Sequence, residues 1–161
     1  MDAITVLTPT GTLGYDFQQQ AFDRAMSMSP DVIAVDAGST DPGPYYLGSG
    51  NPLVSDFAIT RELTTLIKAG CKAGVPVIVG SVGGAGTNRH VDAVVDLVRS
   101  IAQSEHLSFS LAWIYADVER ERVRKAIEEN EVKRFEASFE LTENDIDETI
   151  ALVAQMGPQS A

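Results

Sequence analysis

VIAVDAGSTDPGPYYLGSG (residues 32–50) begins as an unbroken apolar run and turns abruptly into a segment dominated by glycine and proline. A strand continuous in Val, Ile and Ala reads as one covered on both faces, the usual condition of a parallel sheet. The Gly/Pro segment marks where the chain leaves that sheet. Three further runs share its character: AITVLT (3–8), VPVIVGS (75–81) and FSLAWIY (109–115) are short and rich in β-branched or aromatic residues. Between them lie YDFQQQAFDRAMSMS (15–29), SDFAITRELTTLIKAGCKAG (55–74) and NRHVDAVVDLVRSIAQSE (88–105), each with apolar positions three and four apart. Val91, Val94, Val95, Val98 and Ile101 form one such stripe, and DVERERVRKAIEEN (117–130) is a charged helix turning Val118, Val123 and Ile127 toward the core. The alternation predicts an α/β fold, a three-layer α-β-α, Rossmann-like arrangement around a mainly parallel sheet with right-handed crossovers. Residues 1–161 form one domain, in which 132–161 is peripheral or incomplete: a strand is expected at 132–136 and a helix from Thr142 toward Met156.

Composition narrows the function. With 161 residues, 44% hydrophobic and 22% charged, the chain can bury a real core. A formal charge of −11 excludes the basic stripe that a nucleic-acid or anionic-membrane surface demands. The start lacks a basic and then apolar leader, and no run is long enough to span a bilayer, which makes the cytoplasm the expected location. The single cysteine, Cys71, rules out an internal disulfide and reads as a half-buried helix thiol.

In parallel sheets ligands sit beyond the carboxyl ends of the strands, where βα loops converge. That rule selects TPTGTLG (8–14), DAGSTDPGPYYLGSG (36–50) and GSVGGAGTNRH (80–90). In the last, Gly80, Ser81, Gly83, Gly84 and Gly86 follow a strand and precede a helix, so their N–H groups could meet a phosphate or carboxylate; tight-turn geometry alone is the competing explanation. The loop lacks the P-loop ending, and Arg89 stands where a dinucleotide fingerprint needs its third glycine. Arg89 at a helix start calls for a compensating anion, and His90 is the best acid/base candidate beside a helix-surface alternative. Asp36, at the end of a strand read as buried, needs donors, a metal or a proton; Ser39 and Thr40 could supply donors, and Asp41 before Pro42 favours an Asx-type turn. Two carboxylates with hydroxyls are weak grounds for a metal, and none is assigned. Tyr45 and Tyr46, read as extended, would point to opposite sides, one into a cleft; both rings shielding the sheet end is the competing explanation. Thr10 and Gly11 suit ligand contact from the first loop, beside the alternative of an ordinary βα turn. Asp36, Asp41 and His90 are thus the catalytic candidates.

TPTGTLGYDF, DVIAVDAGSTDPGPYYLGSG, ITRELTTLIKAG and VPVIVGSVGGAGTNRHVD together resemble the amino-terminal domain of the acyclic terpene utilisation (AtuA-like) family. LTENDIDETIALVAQMGP resembles the segment before that family's next βα units, so the resemblance spans essentially the whole chain. It implies a small-molecule catabolic role around acyl-CoA intermediates, of lyase or related type, with a small anionic or acyl-CoA-type ligand. It names no cofactor. Family members continue further, which implies a fragment, a truncated product or one subunit of a split protein, with a second chain or a homo-oligomer as partner. The competing class is a non-catalytic assembly module that completes a partner's site.

Overall fold

The computed structural model describes residues 3–38, 43–133 and 141–154. Its elements run β1 (Val6–Leu7), α1 (Gln19–Met26), β2 (Val32–Asp36), α2 (Gly43–Ser49), α3 (Asp56–Ala73), β3 (Val77–Gly80), α4 (Asn88–Ser104), α5 (Arg120–Glu128) and α6 (Glu143–Glu148). The fold is mixed α/β, built on a small parallel sheet of order β1-β2-β3.

The register sorts the strand residues into two faces. Val6 pairs with Val32, Leu7 with Ile33, Ile33 with Val77, Ala34 with Ile78, Val35 with Val79 and Asp36 with Gly80. Leu7, Ile33 and Val35, with the half-buried Val77 and Val79, face the core, where Phe22 of α1, Ile59, Leu63, Leu66 and Ile67 of α3, and Val94, Val98 and Ile101 of α4 meet them. Each such fully buried aliphatic side chain contributes about 1.5–3 kcal/mol. The opposite face carries Val6 and Ile78, which are 54% and 53% exposed. This departs from the expected three layers, and the strand order explains it. Right-handed crossovers that always step the same way put every connecting helix on one face; the other is covered only when the order reverses. Here it never does.

Local chemistry fixes the helix ends. Ser55 accepts the Ala58 N–H at the start of α3, and Gly74 closes it at φ +70°. Gly70 lets α3 approach the sheet, since a Cβ there would stand 2.6 Å from a Val77 methyl. Thr87 caps α4, whose buried stripe is the predicted Val91, Val94, Val95, Val98, Ile101 set with His90 added. α1 is shorter than its amphipathic stretch because Asp16 (φ +73°) and Ser29 (φ +56°) turn the chain at either side. Cys71 is exposed rather than half-buried.

The largest difference concerns 109–115, which forms no strand. It follows the flank of α4 instead: the Arg99 guanidinium lies 5.4 Å from the Trp113 ring centre, the Tyr115 hydroxyl donates to Asp92, and the Ala116 N–H donates to Asn88. Beyond it, α5 contains no fully buried residue, so Val123 and Ile127 are only half-covered. Arg120 holds α6 by donating to the carbonyls of Ile146, Asp147 and Thr149. The expected strand at 132–136 lies mostly outside the described residues, and 132–133 are not in one. The helix after Thr142 ends at Glu148, well short of Met156.

Candidate functional site

All three βα connections leave the sheet at the same edge, and backbone hydrogen bonds tie them together. Leu13 N–H donates to the Asp36 carbonyl at 2.7 Å, Ala37 N–H to the Gly80 carbonyl at 2.8 Å, and Leu53 N–H to the Gly83 carbonyl at 3.1 Å. The first loop is held by a residue the sequence reading passed over. Glu62, 2% exposed, accepts the Gly14 N–H at 2.6 Å and the Asp16 N–H at 2.7 Å. Arg61 pairs with Asp16 at 3.1 Å, which completes the clamp. A signal existed: Glu62 interrupts the apolar stripe Ile59, Leu63, Leu66, Ile67 of α3. A buried carboxylate on such a stripe must have donors. Within the loop, Thr10 Oγ1 donates to the Thr12 carbonyl at 3.2 Å, and Gly11 stands in open space.

Asp36 is exposed, not buried, because its side chain points to the uncovered face. Its Oδ1 accepts the Gly38 N–H at 2.8 Å, closing an Asx-type turn. A Cβ built on Gly80 would lie 3.8 Å from that oxygen, and one on Gly38 2.5 Å from the Ser81 Cβ. Asp36, Gly80 and Ser81 are therefore neighbours at the strand ends. Ser39, Thr40 and Asp41 lie outside the described residues. Tyr45 and Tyr46 are helical rather than extended: they sit in α2, rings edge-on at 5.2 Å, with Tyr45 68% exposed. A proline in a helix's first turn loses no needed N–H, so Pro44 permits this conformation.

The glycine loop is tightly wound, with positive φ at Ser81, Gly83, Gly84 and Gly86. Gly84 N–H donates to Ser81 O and Gly86 N–H to Val82 O, each at 3.1 Å. Gly83 cannot carry a side chain, since its Cβ would lie 2.4 Å from that of His90. His90 is only 4% exposed. Its N–H donates to Thr87 Oγ1 at 3.2 Å, its Nε2 is 3.2 Å from the Gly50 carbonyl, and its Nδ1 has no hydrogen-bond partner among the described residues. The ring thus lies beneath the loop, pinning α4 to the end of α2. Arg89, beside it, is exposed and forms no ion pair among the described residues.

A second overlooked residue touches this loop's helix. Asp117 Oδ1 accepts the Asn88 N–H at 2.9 Å, while Asn88 Oδ1 accepts the Asp117 N–H at 3.2 Å. No short-range pattern signals it, since Asn88 and Asp117 stand 29 residues apart. Nearby, donation to Asp92 pushes the Tyr115 phenol above its ordinary pKa. Among the described residues no group of three or more His, Cys, Asp or Glu is placed to hold a metal, and no helix is long and apolar enough to cross a membrane. No family model matches the chain, and no match is found among curated proteins or solved structures.

Proposed function

We propose that this chain is the ligand-binding domain or subunit of a cytoplasmic small-molecule enzyme that takes a carboxylate or acyl-CoA-type anion, as its AtuA-like resemblance implies. One observation carries the reading: the glycine loop 80–86 runs into the N-terminus of α4, where the exposed Arg89 adds a cation without an ion pair among the described residues. Backbone N–H groups, helix dipole and guanidinium together favour an anion. Asp36, adjoining Gly80 and Ser81, orients substrate or moves a proton, with Asp41 and one of Tyr45 or Tyr46 assisting. His90 holds the loop from below. Calorimetric titration with acetate, coenzyme A and acetyl-CoA tests this. At least one should bind, and Arg89→Ala should weaken it about threefold or more; heatless titrations to millimolar ligand would defeat it.

The second reading, a non-catalytic module completing a partner's site, draws on the uncovered sheet face. In it the sheet is half of a three-layer, Rossmann-like arrangement whose other helices come from a second chain. Val6 and Ile78 supply an apolar strip, with Asp31 and Asp36 exposed toward its two ends. A partner helix with an apolar stripe and basic flanks fits that strip. Stoichiometric copurification of one second chain, lost in Ile78→Asp, together with no ligand binding by this chain alone, favours it. A monomeric chain that binds ligand unaided removes it.

A further inference from the structure

We propose that residues 107–119 are the docking edge for an extended segment of a different protein chain, apolar along most of its length and basic at the end beside Asp117. LSFSLAWIYA (107–116) holds neither a charge nor a proline. It leaves α4 where the Leu107 N–H donates to the Ala102 carbonyl at 2.8 Å, and it returns along that helix until Asp117 meets Asn88. Every second residue, Leu107, Phe109, Leu111 and Trp113, lines an open groove of about 410 Å³ with Val98 and Ala102 of α4. That period of two belongs to extended backbone.

The edge is open. Among the described residues no backbone hydrogen bond reaches 108–115. Phe109, Leu111, Trp113, Ile114 and Tyr115 are between 37% and 49% exposed, so each keeps a large share of its surface free. Proteins ordinarily blunt such an edge with a charge or a proline, and this one carries neither. Its continuation already accepts a strand: the Ala154 N–H donates to the Ala116 carbonyl at 2.8 Å and the Val118 N–H to the Leu152 carbonyl at 2.7 Å, around an antiparallel bridge of Asp117 with Val153. Residues 108–115 extend the same backbone with its groups unmatched. An added strand supplies the missing bonds, and the grooves select its side chains.

Shape and charge decide the occupant. A second open groove, of about 460 Å³, starts at Tyr115 and is lined by Asp117, Val118, Glu119 and Arg122. The two grooves follow one another along the segment, which suits a chain laid lengthwise rather than a compact molecule. The first is mainly apolar. At the second, Asp92, which accepts the Tyr115 hydroxyl, joins Asp117 and Glu119, three carboxylates against the Arg122 guanidinium of the lining. A basic residue is favoured there. A second copy is disfavoured, since each copy carries a formal charge of −11 and repels the other.

The test uses the peptide Lys-Thr-Val-Thr-Phe-Thr-Val-Thr-Lys, whose two lysines place one beside Asp117 in either direction. Its titration into the protein is followed by the emission of Trp113, the sole tryptophan. Binding should shift that emission, weaken about tenfold in Leu111→Asp, and weaken about threefold in Glu119→Lys or when glutamates replace the peptide's lysines. Because Leu111→Asp can unfold the protein, two further peptides leave the chain untouched. They are N-methylated at alternate backbone nitrogens, in opposite registers, and at least one should bind about tenfold more weakly because its donors toward the edge are gone. No binding up to about 1 mM peptide, or equal binding of both methylated peptides and the parent, overturns the docking edge. Undiminished binding of the glutamate peptide refutes a basic partner. A protein that sediments as a dimer, and as a monomer in Leu111→Asp, carries a second copy on this edge, which overturns the foreign occupant.

Discussion

Replacing Glu62 by alanine removes the acceptor of two backbone N–H groups at once, Gly14 at 2.6 Å and Asp16 at 2.7 Å. A hydrogen bond to a charged group contributes about 1.5–3 kcal/mol net, so an intact pair is worth about 3–6 kcal/mol. Part of this is recovered on mutation. Asp16 is exposed, and water can take its N–H; Gly14 is packed against Val54, so its donor is left poorly served. The expected loss is about 2–4 kcal/mol. In a domain of this size each kcal/mol lowers the melting temperature by about 2–4 °C, so the midpoint should fall by about 5–15 °C. Glu62→Gln should lie between, since it keeps one acceptor and turns an NH₂ toward the other donor. Arg61→Ala should cost less than Glu62→Ala, its pairing with Asp16 being exposed and its contact with the buried Glu62 carboxylate a longer 3.6 Å. Urea and thermal unfolding followed by circular dichroism measure all three. If Glu62→Ala lies within about 0.5 kcal/mol of wild type, or Arg61→Ala proves the costlier, the clamp is not what holds the first loop.

Gly83→Ala should destabilise the protein by more than about 1 kcal/mol, combining positive φ with a clash on His90, whereas Gly11→Ala, facing open space, should stay within about 0.5 kcal/mol; chemical denaturation compares them. Tyr115 should ionise above its usual pKa of about 10 in an ultraviolet titration, with Asp92→Asn returning it toward that value. Because the folded pKa is raised, the Tyr115–Asp92 contribution is complete below about pH 10 and disappears as pH rises through the folded value. Asp145 is displaced the other way, held below the usual carboxylate range by the Thr142 hydroxyl and then by the Thr142 N–H. Its contribution is present above about pH 4 and is lost as pH falls through the lower folded pKa. Thr142→Ala should raise the Asp145 pKa in a carboxyl-carbon NMR titration and increase amide exchange across residues 143–148.

How far the sequence could be read differs from element to element. VIAVD and VIVG end within a residue or two of the predicted β2 and β3, and α3 and α4 keep nearly their predicted bounds. Caps explain the helices, since Ser55, Gly74 and Thr87 act on their own neighbours and their effect is written locally. The same logic misled at Tyr45 and Tyr46. Proline restriction suggested extended backbone, yet a first helical turn satisfies it equally well. FSLAWIY carries a strand's composition but lies against α4, because composition reports that a side chain will seek cover and not which element provides it. Glu62 was legible as a charge on an apolar stripe. Asp117 was not, since its partner Asn88 is reached only after the chain has run down α4 and back.

Sequence by itself determined the alternation of strands and helices as far as α4, the convergence of the glycine-bearing loops at one sheet edge, and the buried stripes of α3 and α4. These follow from backbone preference and hydrophobic period, which act over a few residues. Tertiary structure alone decided that, among the described residues, the sheet keeps one bare face, that Asp36 opens onto it, that His90 lies beneath Gly83, and that Asp117 occupies the N-terminus of α4. Those outcomes depend on the direction in which successive crossovers step and on which distant groups meet, and neither is encoded in any short window of the chain.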